Sequence, residues 1–205
     1  ICFNWYAYAG NDPINRIDLW GLENLMLGKV DMHDARWGSE LLGNSAGVHV
    51  NEQGCYAAAF SSGATAATGK TVTPKTVNED KTNFAKNSQS MLPAQAAAKL
   101  GLVQDYWTKG KQGNLGNKIN EMNDSATKYA VIAQVPYNAE GDLHWVGVNG
   151  GTIIDSGKEY IEATGSSKFD YIKASRPKDW VISGDTILIP TSSIVRIDTF
   201  TKNNK

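Results

Sequence analysis

The stretch that most constrains this chain is residues 51–65, NEQGCYAAAFSSGAT, whose small side chains from Cys55 continue to Gly69 and leave a helix almost no bulk on its sides. Side chains this small let a neighbouring element approach the helix backbone closely, the arrangement expected of a helix buried under a sheet. The downstream pattern supplies such a sheet. Thr73-Pro74 reads as an N-cap with proline at the first helical position and predicts a second short helix running towards Glu79. Residues 90–101, SMLPAQAAAKLG, predict a third helix that starts at Pro93 and stops at Gly101. Leu115, Ile119 and Met122 recur at helical spacing and predict a fourth over 113–123. After Ser125 the period changes to that of strands, at 129–135, 144–148, 151–155, 180–182, 186–189 and 194–200. Helices first and an antiparallel sheet second make an α+β fold.

Length and charge narrow the possible functions. A chain of 205 residues suits one domain with at most a short appendage. Its net charge of −1 leaves no electrostatic footprint for nucleic acid or an anionic membrane, so no nucleic-acid partner is expected. The longest apolar runs are only a few residues against the ~20 needed to span a bilayer, so no membrane insertion by this segment is expected either. The N-terminus lacks the basic-then-apolar plan of a signal peptide, and Ile1 in place of methionine implies a start inside a longer reading frame. Cys2 and Cys55 are one possible pair, too few for a disulfide framework, and both are expected to be reduced. His33, His49 and His144 are scattered, with no zinc spacing and no phosphate-binding glycine loop, so neither metal nor cofactor is expected. His33 lies in the polar stretch DMHDAR and receives no role.

Cys55 carries the chemistry. A helix N-terminus presents unpaired N–H groups and about half a positive charge, which favours thiolate over thiol in the first turn. Left alone, a cysteine here is a small hydrophobe; a histidine partner makes it a nucleophile, and His144 on the second predicted strand is the candidate base. Asn149-Gly150 is a strong hairpin signal. If it forms the turn, Val148 faces Gly151 and His144 faces Asp155, close enough for a carboxylate to orient the imidazole. A turn at Gly150-Gly151 would instead set His144 opposite Gly157, and the register argument for Asp155 would fail.

Two stretches resemble known families. NWYAYAGNDPINRIDLWGL resembles the end of an RHS repeat-associated core, the cage that carries a variable toxin at its C-terminus. Pro13, Asp18, Gly21 and Leu22 fall at the family's motif positions, while Leu19 stands where the family usually has proline. The resemblance implies cleavage of the Leu22–Glu23 bond by an aspartyl-protease-like site, encapsulation by the RHS cage, delivery into a target-cell cytoplasm by a bacterial secretion system, and a cognate immunity protein. It divides the chain into the end of the core at 1–22, a lead-in at 23–50 and a toxin domain at 51–205. Residues 53–155, through GCYAAA and YAVIAQV…HWVGVNGGTIIDSG, resemble papain-like cysteine peptidases of the bacteriocin-processing, double-glycine branch. That implies a papain-like fold with Cys55, His144 and Asp155 as nucleophile, base and orienting acid. The family's oxyanion glutamine position, six before the cysteine, is occupied by His49, and Gln53 lies nearer. Either is an oxyanion candidate, with Gln53 slightly favoured.

The expected function is thiol-dependent hydrolysis of an amide bond in target-cell proteins. Deamidation and transglutamination share its early steps. A non-enzymatic domain that binds a protein partner, and a cell-wall hydrolase, are the other readings.

Overall fold

The computed structural model describes residues 30, 32–108, 115, 130–136, 143–149, 152–155, 181–183, 186–188 and 194–203. Pro13, Asp18, Gly21, Leu22, the Leu22–Glu23 bond and Cys2 lie outside the described residues, as does the 113–123 helix except for Leu115, which is helical and buried.

Four α-helices are described: α1 (Val50–Gln53), α2 (Cys55–Thr68), α3 (Pro74–Glu79) and α4 (Pro93–Lys99), with a 3-10 turn at Lys81–Asn83. Their ends follow from local chemistry. α2 stops at Gly69, which adopts φ 72° and donates its N–H to the Thr65 carbonyl, a left-handed conformation that glycine takes without strain. Thr73 caps α3 by accepting the Thr76 N–H at 3.2 Å, with Pro74 in the first turn where its missing N–H is harmless.

The strands are β1 (Leu102–Thr108), β2 (Ala130–Pro136), β3 (Leu143–Asn149), β4 (Thr152–Asp155), β5 (Val181–Ser183), β6 (Thr186–Leu188) and β7 (Arg196–Lys202). Among the described residues they form a five-stranded antiparallel sheet, ordered β1-β7-β2-β3-β4, and a separate β5-β6 pair. The fold class is α+β. β1 departs from the helices-first order. It follows directly on Gly101, and its Val, Tyr, Trp and Thr are strand formers that the sequence reading passed over.

α2 lies against this sheet as its small residues require. Residues 57–65 of the helix are all buried. Phe60 meets Phe200 of β7 edge to face at 5.2 Å between centroids. A Cβ on Gly63 would stand 3.0 Å from the Phe200 ring and 3.4 Å from Ile132, so glycine is what allows the close approach. The described part of the 23–50 segment joins the same core through Met32, Trp37 and Leu42. It is held there by backbone pairing of Leu42 with Val48 and of Val50 with Glu40.

The β3-β4 register corrects the expected hairpin. Asn149 pairs with Thr152, which leaves positions 150 and 151 between the strands, and Asp155 pairs with Val146 rather than with His144. A Gly-Gly pair serves a two-residue connection as well as Asn-Gly does, because both central positions of the tight turn favour positive φ. The one-residue shift moves position 155 from opposite position 144 to diagonal from it.

Candidate active site

Gly54 joins α1 to α2 and places Cys55 at the first position of the second helix. Its N–H donates to the Val50 carbonyl at 2.7 Å and its carbonyl accepts the Ala58 N–H at 2.9 Å. A Cβ on Gly54 would collide with the Val50 carbonyl and its side chain, so the residue before the cysteine is constrained to be glycine. α2 then packs on β3, which brings the cysteine to the histidine.

Cys55 and His144 are hydrogen-bonded side chain to side chain. Both are half-buried. Main-chain N–H groups of Trp145 and Tyr56 also donate to the Cys55 sulfur. Burial pushes the Cys55 thiol up, but the hydrogen bond and charge of His144, together with the two N–H groups, outweigh it and hold the thiol below its ordinary value. These donors favour the thiolate, so the pair can supply a nucleophile and a proton carrier.

The other candidates lie as follows. His49 is the N-cap of α1; its backbone N–H donates to Glu52 Oε2 at 2.8 Å and its Nδ1 lies 3.5 Å from the same oxygen. Gln53 ends α1, exposed, with its Oε1 accepting from Gln89 Nε2 at 3.2 Å. Each is thus engaged near the start of α2. Asp155 occupies its β4 position opposite Val146.

A polar cluster missed by the sequence reading borders the pair. Tyr56, next to Cys55, donates its hydroxyl to Asp198 Oδ2 at 2.6 Å. Asp198 lies on β7, fully buried, and also accepts from Gln104 Nε2 at 3.0 Å, and from Arg196 Nε at 2.6 Å and Nη2 at 3.0 Å. The Arg196 guanidinium lies 4.7 Å from the Tyr106 ring centre and 5.4 Å from that of Trp145. Trp145 in turn meets Tyr56 edge to face at 4.6 Å. Burial, and then the charge and hydrogen bond of Asp198, push the Tyr56 hydroxyl far above its usual range. In sequence the only signal was an aspartate between Ile197 and Thr199 in the middle of a strand, where a buried carboxylate needs partners.

A cavity of about 660 Å³ opens at the other end of α2, beside Thr68, Val77, Leu102 and Lys202, and includes neither Cys55 nor His144. Among the described residues no group of three or more His, Cys, Asp or Glu side chains could hold a metal ion. No family model, curated protein or solved structure matches the chain.

Proposed function

We propose that this chain is the toxin portion of an RHS protein and acts as a papain-like, thiol-dependent hydrolase of amide bonds in target-cell proteins. The observation that carries the reading is the hydrogen bond between His144 and the sulfur of Cys55 at the first turn of α2, with the thiol held below its ordinary value. A helix-start cysteine paired with an imidazole is suited to nucleophilic attack.

The Cys55 thiolate attacks the carbonyl carbon and forms the S–C bond, pushing the carbonyl electron pair onto oxygen. The Cys55 N–H, with Gln53 or His49, would steady that oxyanion. Collapse of the intermediate breaks the C–N bond as His144 delivers its proton to the leaving amine. Water, losing a proton to His144, then hydrolyses the thioester and restores the thiol. Asp155 is proposed as the orienting acid on the resemblance to peptidases alone, since the strand register sets it diagonal to His144 rather than opposite. With a backbone amide as substrate the products are two peptides; with a glutamine side chain, the leaving group is ammonia and the reaction is deamidation; with an amine in place of water it is transglutamination. Proteolysis is placed first because the sequence resemblance is to peptidases. The cage and a cognate immunity protein would keep the domain silent in its producer, and a secretion system would deliver it to the target cytoplasm.

Mass spectrometry of target-cell proteins after exposure to the wild type and to Cys55→Ala tests the reading. New chain termini that depend on Cys55 are expected; a small side-chain mass gain at glutamine selects deamidation instead. Equal toxicity of Cys55→Ala at equal expression would end the enzyme reading and leave a partner-binding domain.

A further inference from the structure

We propose that Asp198 is a positioning residue: through Tyr56 it holds the first turn of α2 against β3, so that the sulfur of Cys55 meets the His144 imidazole and the Trp145 N–H. The inference rests on the reading of Cys55 and His144 as the reacting pair.

The physical problem is the keying of a helix made of small residues. Ala57, Ala58, Ala59, Gly63 and Ala64 bring α2 close to the sheet. They offer few protrusions, however, to stop the helix shifting along it or turning about its axis. In the middle of the helix Gly63 seats the Phe200 ring. At the reacting end the bulky group is Tyr56, and its hydroxyl distinguishes it from Phe60 one turn later, which packs on the same sheet through its ring alone. A hydroxyl withdrawn even partly from water needs an acceptor. The one it has is charged, fully buried and held by three other donors, from Arg196 and Gln104. Hydrogen bonds to an ionised acceptor are roughly twice as strong as neutral ones.

The contacts close a circuit. Tyr56 donates to Asp198, Asp198 pairs with Arg196, the Arg196 guanidinium lies near the Trp145 ring, and that ring meets the edge of Tyr56. The sheet register places Thr108, Arg196, Gln134 and Trp145 in one row across four strands. The circuit therefore ties the residue after the nucleophile to the residue after the base. A displacement of 1 Å at such a pair can cost about a hundredfold in rate. Among the described residues, the charged and titratable groups in contact within the circuit are Asp198 and Arg196 from β7, Tyr106 from β1 and Tyr56 from α2. Cys55 and His144 adjoin the circuit as the sequence neighbours of Tyr56 and Trp145.

The test is the rate at which iodoacetamide alkylates Cys55 across pH in the full chain, read by peptide mapping so that Cys2 is counted separately. Tyr56→Phe keeps the ring and removes the hydroxyl. Asp198→Asn removes the charged acceptor, and Tyr56→Phe stands in for it if the half-buried Arg196 left without its partner prevents folding. Val77→Ala, a core truncation in α3, is the control for lost stability alone. Both circuit variants should alkylate about tenfold more slowly than wild type at pH 6, the effect of a one-unit rise in thiol ionisation, while Val77→Ala keeps the wild-type rate. A wild-type rate in Tyr56→Phe overturns the positioning role alone, as does an equal slowing in Val77→Ala. A wild-type Cys55 no more reactive than in the urea-unfolded chain overturns the reading of the nucleophile, and the positioning role with it.

Discussion

Cys55 opens α2 and His144 lies on β3, and the hydrogen bond between their side chains joins the buried helix to the sheet it covers. Against burial, which raises the thiol, His144 is the group that lowers it most, so His144→Ala should move Cys55 ionisation upward. The sign is fixed by charge: loss of the imidazole leaves burial, which disfavours thiolate, with less to oppose it. Thiolate absorbance titrated in the ultraviolet should show a midpoint below that of a free thiol in the wild type and a higher one in the variant. Hydrolysis of a small activated ester should fall by about 10²–10⁴-fold, the usual contribution of a general base. An unchanged midpoint would remove His144 from the site.

Asp155 now has a graded expectation. Diagonal positions on neighbouring strands are roughly 7–8 Å apart, which suits a longer or water-bridged contact better than a direct one. Asp155→Asn should therefore lower ester hydrolysis by about tenfold, well short of the loss expected for a general base. Asp142→Asn and Asn149→Ala should be milder still. Equal damage from Asp155→Asn and His144→Ala would show that the carboxylate acts on the imidazole directly.

The helix starts, stops and strands were legible in the sequence where local chemistry sets them. Thr73-Pro74, Pro93 and Gly101 mark helix boundaries by capping and missing donors, and Gly63 and its alanine neighbours announce a sheet above α2. The pairing of Cys55 with His144 was foreseeable because each stands on an element with its own signature. The hairpin register was not, since Asn149-Gly150 and Gly150-Gly151 are both good turn pairs and differ by the one residue that moves Asp155. Asp198 was hidden for another reason. Its partners Gln104, Tyr56 and Arg196 come from β1, α2 and its own strand, and only the β1-β7 pairing and the helix laid across it assemble them.

Gly63 and Phe200 should be energetically coupled. Gly63→Ala gains about 1 kcal/mol of helix propensity but places a methyl group 3.0 Å from the Phe200 ring, where overpacking costs about 1–3 kcal/mol. A net loss is expected in denaturant unfolding. Phe200→Leu makes room at the same place, so Gly63→Ala combined with Phe200→Leu should be more stable than the sum of the two single losses, by about 0.5 kcal/mol or more. Simple additivity would mean that α2 relaxes away from β7 at no cost.

Asp80 links α3 and α4 from the surface. Its Oδ2 takes the Lys99 ammonium at 2.6 Å, and its Oδ1 accepts the Thr82 N–H at 3.1 Å and hydroxyl at 2.7 Å. The Lys99 contact, then the Thr82 hydroxyl, hold the carboxyl down to about 2, well below its ordinary value. A carboxylate depressed in the folded state stabilises the fold above its unfolded pKa of about 3.9 and loses that contribution as pH falls through the folded value. Asp80→Asn keeps an oxygen for Thr82 and removes the charge. Its thermal midpoint should therefore lie below that of the wild type at pH 7 and at pH 5. The gap should narrow below about pH 4 and close near the folded value of about 2. Because the pair is exposed, the gap should be modest and should shrink in 1 M salt, where screening acts over about 3 Å. A gap that widens on acidification, or one that ignores salt, would mean that Asp80 acts through packing rather than through its charge.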